Sequence, residues 1–246
     1  MKIKILYEDS NILAIEKPSG ILVHPDQRGK EKTILDLFIK KYPKIEIVHR
    51  LDRETSGVLL LAKNQKAYEF LKKQFKNREV KKTYVAIVHG FVKNDHGVIN
   101  KPIGRSPKDF RRRLSGRGAR GEMREAITEY KVLKRFTVSP QQIFSSCALP
   151  RVRVGTLGQK KSAGAPLKLS YLEIKPKTGR THQIRVHLKF LNYPVICDSL
   201  YNPDKPCPVE LSRLALHAKS IEFKNLKGKT VKVESPIPLE FKKMVK

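Results

Sequence analysis

The sequence predicts an α+β fold, with a mixed, largely antiparallel sheet and flanking helices. Three observations carry this expectation. Short strand-like runs are interspersed with short amphipathic segments, without the regular strand–helix–strand rhythm that winds a parallel sheet. Residues 82–89 alternate, with Tyr84, Ala86 and Val88 on one side and Val85 and Ile87 on the other, as a strand does. The 246 residues are 39% hydrophobic, enough for a core. No internal repeat or linker breaks the chain, so a single domain over 1–246 is expected.

In chain order, Ile3 to Glu8 and Ile12 to Glu16 read as strands joined by a polar turn at Asp9-Ser10-Asn11. Pro18-Ser19-Gly20 is a second turn, flanked by Lys17 and His24, both expected at the surface, where either could reach a substrate. Thr33 reads as the N-cap of a helix whose apolar face is Ile34, Leu35, Leu37 and Phe38. Val58 to Ala62 is a buried strand. Asn64 caps a second helix, with Ala67, Phe70, Leu71 and Phe75 facing inward. Residues 104–124 form a basic loop. Ala126 to Thr137 is a strand, and 139–166, which holds no acidic residue, is an inserted loop. Leu167 to Ile174 returns to a strand. A helix follows over about 180–191, with Ile184, Leu188 and Leu191 on its apolar face. Leu214 to His217, Ile221 to Phe223 and Val231 to Val233 are short strands, and Pro238 to Val245 a closing helix.

Charge describes the partner rather than the fold. Against 23 Asp and Glu stand 52 Lys and Arg, a net charge of +29, and the first candidate partner is nucleic acid. Lys101, Arg105, Lys108, Arg111, Arg112, Arg113, Arg117, Arg120 and Arg124 crowd one segment, opposed there by Asp109, Glu122 and Glu125. Either this is a solvated, self-repelling loop or a set of phosphate contacts, and the charge of the whole chain favours the second. The hydrophobic content rules out a disordered basic tail. Cys147, Cys197 and Cys207 form no Cys-x-x-Cys pair, so reduced thiols are expected and no metal site. No signal-peptide pattern opens the chain, and no run approaches the roughly 20 apolar residues that span a bilayer. A cytoplasmic protein is expected.

The run His49-Arg50-Leu51-Asp52-Arg53-Glu54-Thr55-Ser56-Gly57 sets one carboxylate in a tight turn directly before a buried strand. At the edge of a core, neighbours tune such a group. Taken alone, the nine residues fit an ordinary exposed loop equally well. Yet the run closely resembles the signature of the RluA family of pseudouridine synthases, and other segments match in the expected order. Tyr7-Glu8-Asp9-Ser10-Asn11 through Lys17-Pro18-Ser19-Gly20, with Val23-His24-Pro25, resembles the N-terminal motif. Lys82-Thr83-Tyr84-Val85-Ala86-Ile87-Val88-His89-Gly90 is similar to the strand bearing the active-site tyrosine, and Lys101-Pro102-Ile103-Gly104-Arg105 is also familial. Thr178-Gly179-Arg180-Thr181-His182-Gln183-Ile184-Arg185-Val186-His187 and Arg213-Leu214-Ala215-Leu216-His217-Ala218 resemble the later motifs.

The resemblance implies the pseudouridine synthase fold and isomerisation of uridine in structured RNA, ribosomal RNA ahead of transfer RNA. The base leaves C1′ of its ribose, turns and rejoins through C5, after the nucleotide has been flipped from its stack. It assigns the catalytic carboxylate to Asp52, as nucleophile, charge stabiliser or base. Arg185 matches the arginine whose bidentate guanidinium orients that carboxylate and keeps it charged. Tyr84 matches the tyrosine stacked under the flipped base, and Leu216 an apolar residue of the uracil pocket. Arg50 is placed to fill the gap left by the base. Arg180 and His182 are candidates for phosphate or sugar contact, and Arg111, Arg112 and Arg113 for RNA binding. No cofactor, membrane or obligate protein partner is implied, and a monomer is the default. Two departures from the family stand out: the 139–166 insertion, and Cys197-Asp198 where Gly-Asp is common. The resemblance leads to the expectation of a catalytic domain without the family's accessory RNA-binding domain, with the RNA grip left to the catalytic domain. A non-catalytic RNA-binding or ribosome-assembly protein would share the charge without needing Asp52. A glycosidase-like hydrolase would want two carboxylates at a set separation, and one is suggested.

Overall fold

The computed structural model describes residues 3–25, 31–116, 118–140, 143–144 and 165–246. Ile5–Glu8 (β1) and Ile12–Lys17 (β2) pair antiparallel around Asp9, whose carboxylate accepts the N–H groups of Asn11 and Ile12 at 2.8 and 2.7 Å. Ile34–Phe38 (α1) is capped by Thr33, which exchanges bonds with Asp36 in a capping box. Glu46–Ile47 (β3) and Ser56–Ala62 (β4) lead to Gln65–Lys76 (α2), capped by Asn64. Then come Lys81–His89 (β5), His96–Asn100 (β6), Ile103–Arg105 (β7), Arg113–Ser115 (β8), Arg120–Arg124 (β9) and Ile127–Val138 (β10). Ile143–Phe144 (β11), Leu167–Pro176 (β12), Gln183–Phe190 (α3), Cys207–Pro208 (β13), Leu216–Lys224 (β14), Thr230–Glu234 (β15) and Leu239–Val245 (α4) complete the described elements.

The main sheet runs β1-β2-β4-β14-β5-β12-β10-β6, with β15 on β14 and β3 on β4. Its pairs are antiparallel except for β4 with β14, which is parallel at Ser56 and His217. The α+β expectation is met. Both faces of β2 and β4 are buried: Leu13, Ile15, Leu59 and Leu61 pack with Ile34 and Phe38 of α1. Ile12, Ala14, Val58, Leu60 and Ala62 pack with Ala67 and Leu71 of α2. Burial on both sides is why these strands read as continuous apolar runs. At the parallel junction Gly57 takes φ +113, and a Cβ there would collide with the Ala218 carbonyl. The close approach requires glycine and brings the 49–55 loop against the middle of the sheet.

Four expectations are corrected. The basic 104–124 segment is not an irregular loop: β7, β8 and β9 form a small sheet ordered β8-β7-β9. Its alternation is short and broken by glycines, which hides it in the sequence. The two strands expected at 214–217 and 221–223 are one, β14, with a register shift between Ala218 and Ser220. The helix expected from 180 starts at Gln183, because Gln183 Oε1 accepts from Thr178 Oγ1 at 2.7 Å and from Arg180 N at 3.0 Å, folding 178–182 into a turn. Cys197 and Cys207 are joined by a disulfide, their Cα atoms 5.2 Å apart, in place of the expected reduced thiols. A turn through 198–206 returns the chain on itself, and no spacing rule announces it. Cys147, Arg117 and residues 141–142 and 145–164 of the expected insertion lie outside the described residues.

Candidate active site

The 49–55 loop is fixed from beneath by residues whose roles are structural. His49 Nε2 accepts the Leu60 N–H at 3.0 Å, and its ring stacks on Phe75 of α2 at 4.8 Å. Burial and the nearby Lys82 charge lower its pKa to about 3, consistent with a neutral acceptor. Lys17, expected at the surface, is fully buried. Its Nζ donates to the carbonyls of Pro18, Arg53 and Thr55 at 3.0, 2.9 and 2.8 Å. Burial lowers its pKa to about 7 while the Asp52 charge opposes the shift, and three acceptors match the three N–H bonds of an ammonium. Ser19 Oγ donates to the Glu54 carbonyl at 2.7 Å, and Gly20 N to that of Arg53 at 2.9 Å. The backbone is thus held while the Asp52 side chain is left to face outward.

Asp52 Oδ2 accepts from Arg185 Nη1 at 3.2 Å, as the resemblance implies. The bidentate grip, however, is elsewhere. Arg185 Nε and Nη2 donate to Asp198 Oδ2 and Oδ1, both at 2.7 Å. Asp198 is 1% exposed and also accepts the N–H groups of Leu200 and Tyr201, at 3.0 and 2.9 Å. Burial works against the Arg185 charge, but Asp198 and then Asp52 outweigh it and the pKa lies above the ordinary value. The expected bidentate pair with Asp52 is therefore corrected. Asp198 takes the Nε and Nη2 edge of the guanidinium, and Nη1 is left to orient the Asp52 carboxylate.

A cavity of about 550 Å³ opens in front of this carboxylate. Tyr84, Leu216, Arg50, Arg180 and His182 line it together with Asp52 and Arg185. Burial, reinforced by the Asp52 charge, raises the Tyr84 pKa, so its phenol keeps its proton at neutral pH. Leu216 is buried at the start of β14 and supplies an apolar wall. Arg50 is exposed at the mouth. Arg180 Nε donates to the Glu125 carbonyl at 3.0 Å. His182, at φ +56, has its Nε2 3.9 Å from Asp52 Oδ1. Lys72, Lys76, Lys82 and Lys177 line a basic arm of the same cavity.

Arg111, Arg112 and Arg113 are not among the lining residues. Arg113 opens β8, and Arg111 and Arg112 lie in the turn before it, where they pair with Asp109 at 2.9 and 3.6 Å. Sequence reasoning noted Asp198 within the family's Gly-Asp position but gave it no role, and it missed Tyr201 and the buried roles of Lys17 and His49. A faint signal existed for Asp198, an acid directly after the apolar Pro194-Val195-Ile196-Cys197. Cys197 itself adopts φ +54, a conformation a glycine holds without strain. Among the described residues, no cluster of His, Cys, Asp and Glu could hold a metal. No helix of the described chain is long and apolar enough to cross a membrane.

Residues 11–190 match the family model described as RNA pseudouridylate synthase. The chain is 33% identical over 251 residues to an RNA pseudouridine synthase of Bacillus subtilis, YhcT, covering 99% of this chain and 71% of that one. It is 34% identical over 250 residues to the ribosomal large subunit pseudouridine synthase D of Borreliella burgdorferi, covering 97% and 66%. Among solved structures, the human RNA pseudouridylate synthase domain containing 1 aligns with a TM-score of 0.73 at 25% identity, over 96% of this chain and 84% of that one.

Proposed function

The chain belongs to the RNA pseudouridylate synthase family, and from that premise we propose that Asp52 is its catalytic carboxylate, acting on a uridine of ribosomal RNA swung out of its stack. The observation that carries this reading is the division of labour within one carboxylate. Asp52 Oδ2 is tied to Arg185, while Oδ1 faces a cavity that could take a nucleoside. The free oxygen serves the reaction at the sugar, as attacking group, as counter-charge to C1′ or as base. The Tyr84 ring offers a face for the base, and Leu216 an apolar wall that excludes water. Once uracil has rejoined through C5, the proton on C5 must leave, and the Tyr84 hydroxyl is the polar group we assign to handle it.

Extruding a base costs a few kcal/mol, which the protein recovers by binding the nucleotide and its phosphates. Arg50 at the mouth fills the vacated position, and the lysines of the basic arm take the backbone on either side. Ribosomal RNA is preferred to transfer RNA because the Borreliella relative is named for that substrate.

The test is Asp52→Asn, assayed for pseudouridine in ribosomal and transfer RNA transcripts. Turnover should fall by at least about 10³-fold, while RNA affinity stays within a few-fold. An active Asp52→Asn enzyme would exclude the catalytic assignment. A wild-type chain that binds RNA without modifying it would instead be a binding or ribosome-assembly protein.

A further inference from the structure

Tyr201 lies against both the clamp and the cavity wall. Its ring packs over the Arg185 guanidinium, 5.0 Å from centroid to carbon, and meets the His182 ring edge-on at 5.7 Å. Its hydroxyl has two neighbours: the backbone N of Arg113 on β8, at 2.8 Å, and Nδ1 of His182, at 3.0 Å. A backbone N–H can only donate, so the hydroxyl accepts from Arg113 and its own proton goes to His182. Burial raises the Tyr201 pKa to about 12, and that proton is present at neutral pH. Nδ1 is then the acceptor, and the single proton of the neutral ring is on Nε2. Burial lowers the His182 pKa, as do Arg185 and Arg113, against the opposing charges of Asp52 and Asp198.

The other tautomer is disfavoured twice. It would aim a lone pair at Asp52 Oδ1, and it would leave the proton of the Tyr201 hydroxyl without an acceptor in a residue 6% exposed. At 3.9 Å, Nε2 is too far from Oδ1 for a direct hydrogen bond. The donor is therefore unspent and faces the oxygen that Arg185 leaves free.

We infer that the Tyr201 hydroxyl is a positioning group that locks His182 in the Nε2–H tautomer, and that His182 donates a hydrogen bond to the ribose oxygen brought against Asp52 Oδ1. The second half rests on the proposed function; the lock stands on the protein alone. The hydroxyl also takes the Arg113 N–H, so the basic sheet and the reacting end of the cavity share one group.

The experiment uses the full chain and the variants Tyr201→Phe, His182→Gln and His182→Leu. Nitrogen-15 NMR of the free protein should show His182 as Nε2–H, and in Tyr201→Phe a mixture of tautomers with the imidazole pKa displaced. In pseudouridine assays Tyr201→Phe should lower kcat about tenfold or more, with KM for RNA little changed. His182→Gln, whose amide N–H reaches the Nε2 position, should keep most of the rate that His182→Leu loses. A wild-type His182 protonated on Nδ1, or a tautomer unmoved in Tyr201→Phe, overturns the lock. Full kcat in His182→Leu overturns the donor role. A wild-type chain without activity would defeat the functional reading, and the spectrum would still decide the lock.

Discussion

The 49–55 loop and the 103–124 sheet both carry arginine on polar connections, and they are held in opposite ways. The loop is tied down by Lys17, Ser19 and His49, through bonds to backbone, and the Asp52 side chain is left over. The sheet has a small apolar contact, Ile103 and Ala126 against Val186 and Tyr201. Its arginines pair with nearby carboxylates in water: Arg111 with Asp109 and Arg124 with Glu122, each at 2.9 Å. Phe110 is 77% exposed at its tip. On the function proposed for Asp52, a carboxylate that must meet one atom of a sugar gains from a backbone with no freedom. Cations that must meet phosphates gain from weak pairs in water, since a surface pair is worth about 0–1 kcal/mol and is readily exchanged.

Breaking the rigid region should have the larger effect. Asp198→Asn keeps the shape of the clamp but withdraws an anion from a buried guanidinium. Loss of one partner of such a pair costs about 3–5 kcal/mol of stability. The Arg185 hold on Asp52 should loosen with it, and we expect kcat to fall about 10²-fold or more at temperatures where the variant remains folded. Thermal unfolding with single-turnover rates would separate the two effects. A folded Asp198→Asn enzyme with wild-type kcat would mean that Arg185 holds Asp52 unaided.

Changing the exposed region should be milder and of another kind. Replacing Arg111, Arg112 and Arg113 with Gln should weaken RNA binding and leave kcat at saturating RNA within a few-fold. Each lost phosphate contact should reduce the slope of log affinity against log salt by about 0.7–0.9. Binding measured at several salt concentrations gives that slope. If it were unchanged, the small sheet would not touch phosphate, and the basic arm at Lys72, Lys76, Lys82 and Lys177 would carry the RNA alone.

The same contrast explains what could be read in advance. Asp52, Arg185, Tyr84 and Leu216 lie in motifs, and the structure gathers them round one cavity. The capped helices α1 and α2 and the twice-buried β2 and β4 were legible because their periodicity is local. Asp198 was not, because its partner is Arg185, thirteen residues away, and the bond exists only after the turn through 191–197 has formed. Lys17 looked like a surface lysine because nothing in its neighbourhood shows that the 53–55 carbonyls will cover it. The small sheet was misread as loop because its charges dominate its composition and its strands are 3, 3 and 5 residues long. The Cys197–Cys207 pairing follows from a turn with no sequence signature.

A further expected effect, confined to acid conditions and silent at neutral pH, concerns the pH dependence of stability. His49 is held neutral in the fold with a pKa of about 3. In the unfolded chain it titrates near about 6.5. Between these values the unfolded state binds one more proton, so stability rises with pH across the window and is lost as pH falls through it. The slope from this group alone is about 1.4 kcal/mol per pH unit. Gln at position 49 can still accept the Leu60 N–H but does not titrate. Urea unfolding of wild type and His49→Gln at pH 4.5, 5.5 and 6.5 should therefore give slopes that differ by about one proton. His89 and His217, each lowered to about 4 mainly by burial, contribute with the same sign in both proteins and cancel from the difference. On the exposed side, the Arg111 hydrogen bond holds the Asp109 carboxyl down to about 2, also a loss of stability toward acid. That pair stands in water and salt screens it, so Asp109→Asn should alter the slope less than His49→Gln. The reverse order would mean that the sheet, not the loop, is the more firmly built of the two.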